Sequence, residues 1–483
     1  MIVFLSFIIP FGLYLSLPST FWYFDAVACA IALELGDPLN LVHGNHLLYG
    51  WAGYEFWKFL LLPLGVTRGL FGLQIFTSFL SAVGLAGLYR LLEDRLHDKV
   101  QALLLTGSIA VFAAFWVLSI EPNPYALGFL GLAWAAYFLL RETEESAAPI
   151  ATGFFHGIAV LGHITHLLWV VPALYALWTD PRLSKKKEGI AKYLLTLALT
   201  AGIPYLWVMG FIVGPHYGFV PLRLWRWFLG TVAIEGGVVG KSHWNFPGAR
   251  FFTDWIRGSF DLVWGTLRPY GTTHPSLLIK GLTVLSFAMM AFLLGRSYVH
   301  RRERLWRFSM IWLGVYALFF FTWEPNNTHY RMGDVIPLAL LMGLGTSTFF
   351  KSPRFFYGFT GLLLALLLAV NLQTRIAPMH QLEQNTVYTE VRSLALATDP
   401  HSLYLTAGGT RWLYLLYFSG RKAWDVADKG PQSGVTEATL RAALREGPVY
   451  VCREALDSES LQRVLRHFHL MQLAENGLWS RIQ

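Results

Sequence analysis

Cysteine is nearly absent from this chain, with Cys29 and Cys452 the only two in 483 residues. A pair so far apart in sequence supplies neither a disulfide framework nor a thiolate metal site, and both read as small buried residues. Charge is scarce too: 14% of residues are Asp, Glu, Lys or Arg, against 54% hydrophobic and 16% aromatic, at a mean hydropathy of +0.44. Soluble domains carry about 25% charged residues. The balance therefore excludes an ordinary soluble enzyme and predicts an α-helical polytopic membrane protein. A net charge of +8 does not indicate nucleic acid as a partner, because the Lys and Arg fall mostly in alternate short loops.

Crossing the hydrocarbon takes about 20 mostly apolar residues. Such runs fall near 2–20, 70–91, 101–119, 124–140, 150–178, 190–212, 276–295, 306–322, 334–350 and 355–373. The basic residues between them cluster at 90–99, 141, 182–192, 296–307 and 351–354. The positive-inside rule makes those loops cytoplasmic, which puts the N-terminus inside and the first outer loop, 21–69, outside. Residues 150–178 run from one basic loop to another, so they must cross twice as a short broken pair, bent near Gly157, Gly162, His163 and His166. About eleven membrane segments and an external C-terminus follow. The first run has no basic n-region and no small-x-small site, and Phe21, Trp22, Tyr23 and Phe24 follow it as an aromatic belt would, so a retained helix is expected.

Two regions lie outside the spans. The loop 213–275 is rich in Trp, Gly and Pro, and its PLRLWRWFLG and ARFFTDWIRGSFDLVWG stretches have the spacing of interfacial helices. Beyond the membrane part, 1–373, residues 374–483 alternate strand and helix: SLYLTA, TRWLYLLYFSG, KAWDVA, TEATLRAALREG, PVYVCR, SESLQRVLRHFH and GLWSRIQ. That order predicts a small extracytoplasmic α/β layer with parallel strands. Gly408 and Gly409 read as a tight strand-to-helix connection, with a phosphate-binding turn the weaker alternative.

The spans are almost free of ionisable groups. These gather instead at the outer mouths: Asp25, Glu34, Asp37, His43 and His46; Glu121 in SIEPNPY; and Glu324, His329, Tyr330, Arg331 and Asp334 in TWEPNNTHYRMGD. Carriers place such groups at mid-bilayer, so the pattern favours an enzyme at the external face over a transporter or lipid flippase. A non-catalytic partner in an envelope complex is a third reading. Glu34 and Asp37 read as polar-face or turn residues, Asp37 starting a turn before Pro38. His43 and His46, spaced i, i+3, could ligate a divalent metal with Asp25 or Asp37, but that arrangement is not favoured.

With DAVACAIALELGD after the first helix, HLLYGW, EPNPYAL, FFHGIAVLGHITHLLWVVPAL and HYRMGDVIPLALL, residues 1 to about 373 resemble the GT-C superfamily of membrane glycosyltransferases, in the bacterial branch related to protein O-mannosyltransferases. The chain departs from that pattern in Ala26 after Asp25, in Leu47 after His46, and in the order Tyr330-Arg331. The resemblance implies inverting transfer of a sugar from a polyprenyl-phosphate donor to a hydroxyl of a protein, glycan or lipid at the outer face of a bacterial inner membrane. Such chemistry needs a base for the acceptor proton and donors or positive charge for the departing phosphate. Asp25 is then the base and Glu121 the second carboxylate. Arg331 offers a bidentate fork for phosphate. Asp37, His43, His46, Tyr49, His329 and Tyr330 would line the substrate site, and Lys241 and His243 of GGVVGKSHWN would close over it.

Overall fold

The computed structural model describes residues 1–483 except 143–147, 223, 225–249, 267–274, 348–352, 408, 427–434 and 473–477. Among the described residues, five helices are long and apolar enough to cross a membrane: Gly69–Leu96, Lys186–His216, Leu277–His300, Arg304–Thr322 and Arg354–His380. Four shorter apolar helices accompany them, Ile2–Ser16, Tyr125–Leu140, Ala148–Gly162 and Ile164–Thr179. The chain is a multi-pass membrane protein. Its apolar residues divide accordingly: Gly69–Leu96 is largely buried, whereas Lys186–His216 leaves Leu206 and Phe211 more than two-thirds exposed. In water such a surface would be a liability; against lipid it is the expected one.

The bundle is held by close backbone approach. A Cβ on Gly131 would lie 2.5 Å from the Ala159 nitrogen and 2.7 Å from the Phe155 carbonyl oxygen, so only glycine lets Tyr125–Leu140 pack this tightly on Ala148–Gly162. Small residues that admit such contact are the usual glue between helices in lipid, where apolar burial gives no net drive.

The run 150–178 breaks at Gly162 and His163, with a 3-10 stretch Ile164–Trp169 leading into Val170–Thr179. His156 Nε2 donates to the His166 carbonyl at 2.8 Å, and Tyr193 Oη lies 2.7 Å from its Nδ1. Backbone groups freed by a break need such partners in an apolar setting. A second break was not foreseen: the run 101–119 is the pair Lys99–Ala110 and Ala113–Ile120, bent by 72°. Neither Pro nor a Gly pair marks it. Asn371, from the helix Arg354–His380, supplies what the bend needs by donating Nδ2 to the Val111 carbonyl at 2.8 Å. In the 213–275 loop the helix Arg250–Val263 is present, while most of PLRLWRWFLG lies outside the described residues.

The C-terminal layer is a five-stranded sheet in the order β2-β1-β3-β5-β4, with β1 Leu403–Thr406, β2 Lys422–Asp425, β3 Val449–Cys452, β4 Leu470–Gln472 and β5 Trp479–Ile482. The expected parallel pairing holds for β2-β1-β3, with Leu403 opposite Lys422 and Val449. It fails at the other edge, where β5 runs antiparallel to β3 and to β4. Strand β4 was missed because all three of its residues are exposed and give no apolar alternation. One apolar cluster joins this layer to the segment after the first helix: Trp22, Ala26, Val27 and Ala30 are continuous with Leu413, Tyr414, Leu403 and Leu405.

Gly131→Ala should therefore destabilise the bundle by about 1–3 kcal/mol, since the obstacle is backbone and cannot rotate away. A thermal midpoint in detergent lowered by several degrees is the expected readout.

Candidate active site

Asp25 lies in the first turn of the helix Phe24–Leu35 and is exposed, where the helix dipole favours a carboxylate. The chain leading to it is fixed. Ser19 donates its N–H to the Ile120 carbonyl, and Gln74 Nε2 donates to the carbonyls of Ser19 (2.7 Å) and Ile120 (3.1 Å). The Tyr23 N–H donates to Glu121 Oε1 at 2.7 Å. Glu121 itself is fully buried, and its other oxygen has no partner among the described residues. Burial raises its carboxyl well above the usual range; the Tyr23 N–H opposes this, and the nearby charge of Asp25 adds to it.

Around these acids stands a wall of rings. Tyr125 sits 4.9 Å from His163, 5.9 Å from His329 and 5.6 Å from Tyr330, centroid to centroid, and Tyr23 lies edge-on to His329 at 4.9 Å. Tyr125 and Tyr330 are within Coulombic reach of Asp25. The wall continues to His43 and His46, stacked at 4.3 Å, with His163 close to both. Burial, helped by Arg375, pushes His329 down to about 4, and burial with His43 and His163 as neighbours depresses His46. At neutral pH the His46 and His329 imidazoles are hydrogen-bonding groups without charge.

The remaining candidates lie elsewhere. Asp37 caps the turn Pro38–Leu41 through Leu39 N–H and Asn40 Nδ2. Tyr49 is fully buried behind Glu121, its hydroxyl 2.8 Å from Thr77 Oγ1. Arg331 is buried, donating Nε to Asp334 at 2.9 Å and Nη1 to Ser259 at 2.7 Å, with Trp255 against its guanidinium. Lys241 and His243 lie outside the described residues. No group of three or more His, Cys, Asp or Glu among the described residues is arranged to hold a metal ion.

Three site residues escaped the sequence reading. Tyr125 was visible only as the last letter of EPNPY, and Arg375 sits where a span gives way to the soluble layer, so neither carried a pattern. Glu324 was noted but assigned no role. It adopts φ +42°, a conformation rare for a side chain of its kind, and it lies near Tyr125 and Tyr330.

The described residues form a bundle of apolar helices joined to a small sheet, with a polar site near Asp25. The comparisons agree at the level of fold. The dolichyl-phosphate-mannose-protein mannosyltransferase family profile matches residues 60–207. The crystal structure of ArnT from Cupriavidus metallidurans in the apo state superposes with a TM-score of 0.63 at 10% identity, over 97% of this chain and 95% of that one. ArnT bound to undecaprenyl phosphate gives 0.61 at 10% identity, over 95% and 92%. The Archaeoglobus fulgidus oligosaccharyltransferase gives 0.49 at 12% identity, over 100% and 73%. No match was found among curated protein sequences. The chain thus resembles the GT-C membrane glycosyltransferases over nearly its whole length.

Glu121 yields a pH prediction. Its native carboxyl keeps its proton to higher pH than in the unfolded chain, so the stability this contributes is present below about 4.5 and lost as pH rises towards the native value. Glu121→Gln, which cannot ionise but can still accept from Tyr23, should show a flatter thermal midpoint between about pH 5 and about pH 8 than the parent protein.

Proposed function

We propose that the protein is an inverting glycosyltransferase that moves a sugar from a polyprenyl-phosphate donor to an acceptor hydroxyl at the outer face of the membrane, with Asp25 as general base. The observation that carries this reading is the position of Asp25, exposed at a helix start, beside the buried Glu121 and in front of the Tyr125, Tyr330 and His329 wall. In the step itself, Asp25 takes the acceptor's proton as the acceptor oxygen attacks the anomeric carbon. The bond from that carbon to the phosphate oxygen breaks on the opposite face, and the polyprenyl phosphate leaves with the electron pair. Glu121, protonated, holds the Tyr23 backbone. His46, His43, His329 and Tyr330 offer hydrogen bonds to sugar and acceptor.

The positive charge for the leaving phosphate is assigned to Arg375, half-buried near His329, with Arg331 in the same turn as His329. Because Asp334 and Ser259 engage Arg331, its part is to fix the turn His329–Asp334 and add charge at that end. Lys241 and His243 are proposed to close over the site. Tyr49 supports it from behind, and Asp37 caps the turn Pro38–Leu41 that follows the helix Phe24–Leu35.

The topology that goes with this reading has eleven membrane segments: the five long helices, the bent pair taken as one, the four shorter ones, and Val335–Ser347. The N-terminus is cytoplasmic and the C-terminal layer lies outside a bacterial inner membrane. The ArnT fold, solved for that protein with undecaprenyl phosphate, supports a polyprenyl-phosphate donor. The acceptor is a hydroxyl of a protein, glycan or lipid.

The test uses proteoliposomes supplied in turn with undecaprenyl-phosphate-linked hexoses and pentoses plus a membrane lipid extract, reading release of undecaprenyl phosphate. Asp25→Asn should lower kcat by about 10²-fold or more while binding of undecaprenyl phosphate is kept. Undiminished release by that variant would remove Asp25 as base. Movement of labelled lipid across the bilayer without release would point to a flippase instead.

A further inference from the structure

The C-terminal layer touches the helix of Asp25 at both ends, and the contacts are polar. Its helix Thr410–Ser419 presents Tyr414, Tyr417 and Phe418 on one face, as the i, i+3, i+4 spacing requires. At the near end, the Tyr414 hydroxyl accepts the Trp22 N–H at 3.1 Å and donates to the Trp22 carbonyl at 2.8 Å. It also accepts from Asn385 Nδ2 at 3.1 Å, and the same amide donates to the Thr20 carbonyl at 2.7 Å. One hydroxyl thereby uses its proton and both acceptor positions, and two of the three bonds hold the backbone of Trp22, three residues before Asp25. The rings pack as well, Trp22 lying 4.9 Å from Phe418.

At the far end, the Tyr417 hydroxyl donates to Glu34 Oε1 at 2.6 Å and accepts the Leu70 N–H at 3.2 Å. Arg68 lies over its ring at 4.2 Å. Glu34, read from sequence as a solvated face residue, is thus a docking group. Between these anchors the helix Phe24–Leu35 cannot tilt without breaking one of them. The segment before it is held from the opposite side by Glu121 through the Tyr23 N–H.

We propose that the C-terminal α/β layer is a positioning element for Asp25, acting through Tyr414, which fixes the backbone at Trp22. This rests on the base role proposed for Asp25. Tyr414 touches no reacting atom; it sets where the carboxylate stands against the Tyr125 and Tyr330 wall. Misplacement of a catalytic group by about 1 Å can cost about 10²-fold in rate, so a defect in position appears in kcat, while donor binding, set by other residues, is kept.

The experiment compares the full-length protein with Tyr414→Phe and with a surface control, Lys422→Ala, whose exposed pair with Glu446 lies away from the contact. Two quantities are read: amide hydrogen exchange at residues 20–25, and kcat and KM for release of undecaprenyl phosphate from its glycosylated form. Tyr414→Phe should speed exchange at Trp22 about tenfold or more, lower kcat about tenfold or more, and leave KM within about twofold. Lys422→Ala should change neither quantity. Faster exchange with unchanged kcat makes the contact merely structural and overturns the inference. So does a fall in kcat with exchange at 20–25 unaltered. If Asp25→Asn keeps full turnover, the base reading fails first; if Asp25→Asn is inactive while Tyr414→Phe is fully active, this inference alone falls.

Discussion

A carboxyl group removed from water is the constraint around which the site is arranged. Glu121 is buried at the turn between two apolar helices, and a charged carboxylate there would cost several kcal/mol without compensation. The molecule meets that cost with one backbone donor, Tyr23 N–H, and with a pKa raised towards the neutral form. The same bond fixes the segment that leads to Asp25, so the buried carboxyl and the exposed one become parts of one assembly.

The neutral character extends through the wall of rings. Imidazoles that hold no charge at neutral pH, packed against phenols, give a surface that can hydrogen-bond to hydroxyls and lie against sugar faces. Among the described residues, Arg375 and the Arg331–Asp334 ion pair bring positive side chains to this wall.

The sequence was informative where physics acts locally and silent where it acts at a distance. The clustering of Asp25, Glu121, His329 and Tyr330 at helix mouths was readable because ionisable groups are excluded from the spans. The break at His163 was legible from loop charge parity. The bend after Ala110 was not, since its stabilising group, Asn371, lies some 260 residues further on. Arg331 promised a free fork because sequence cannot show that Asp334, one helical turn later, and Ser259, in another segment, engage it. Glu34 looked solvated for the same reason: its partners Tyr417 and Gly69 come from elsewhere in the chain. The mixed sheet differs from the expected parallel one only at β4 and β5, where a short exposed strand leaves no periodic trace.

Asn371 has a wider reach than the bend it caps. Its amide donates to the carbonyls of both Val111 and Val263, and its oxygen accepts the Gly265 N–H. One side chain thereby ties two stretches of backbone, at Val111 and at Val263–Gly265, to its own helix four residues before Arg375. Removing that amide would leave two carbonyls and one N–H, in segments far apart along the chain, without the partner they now share.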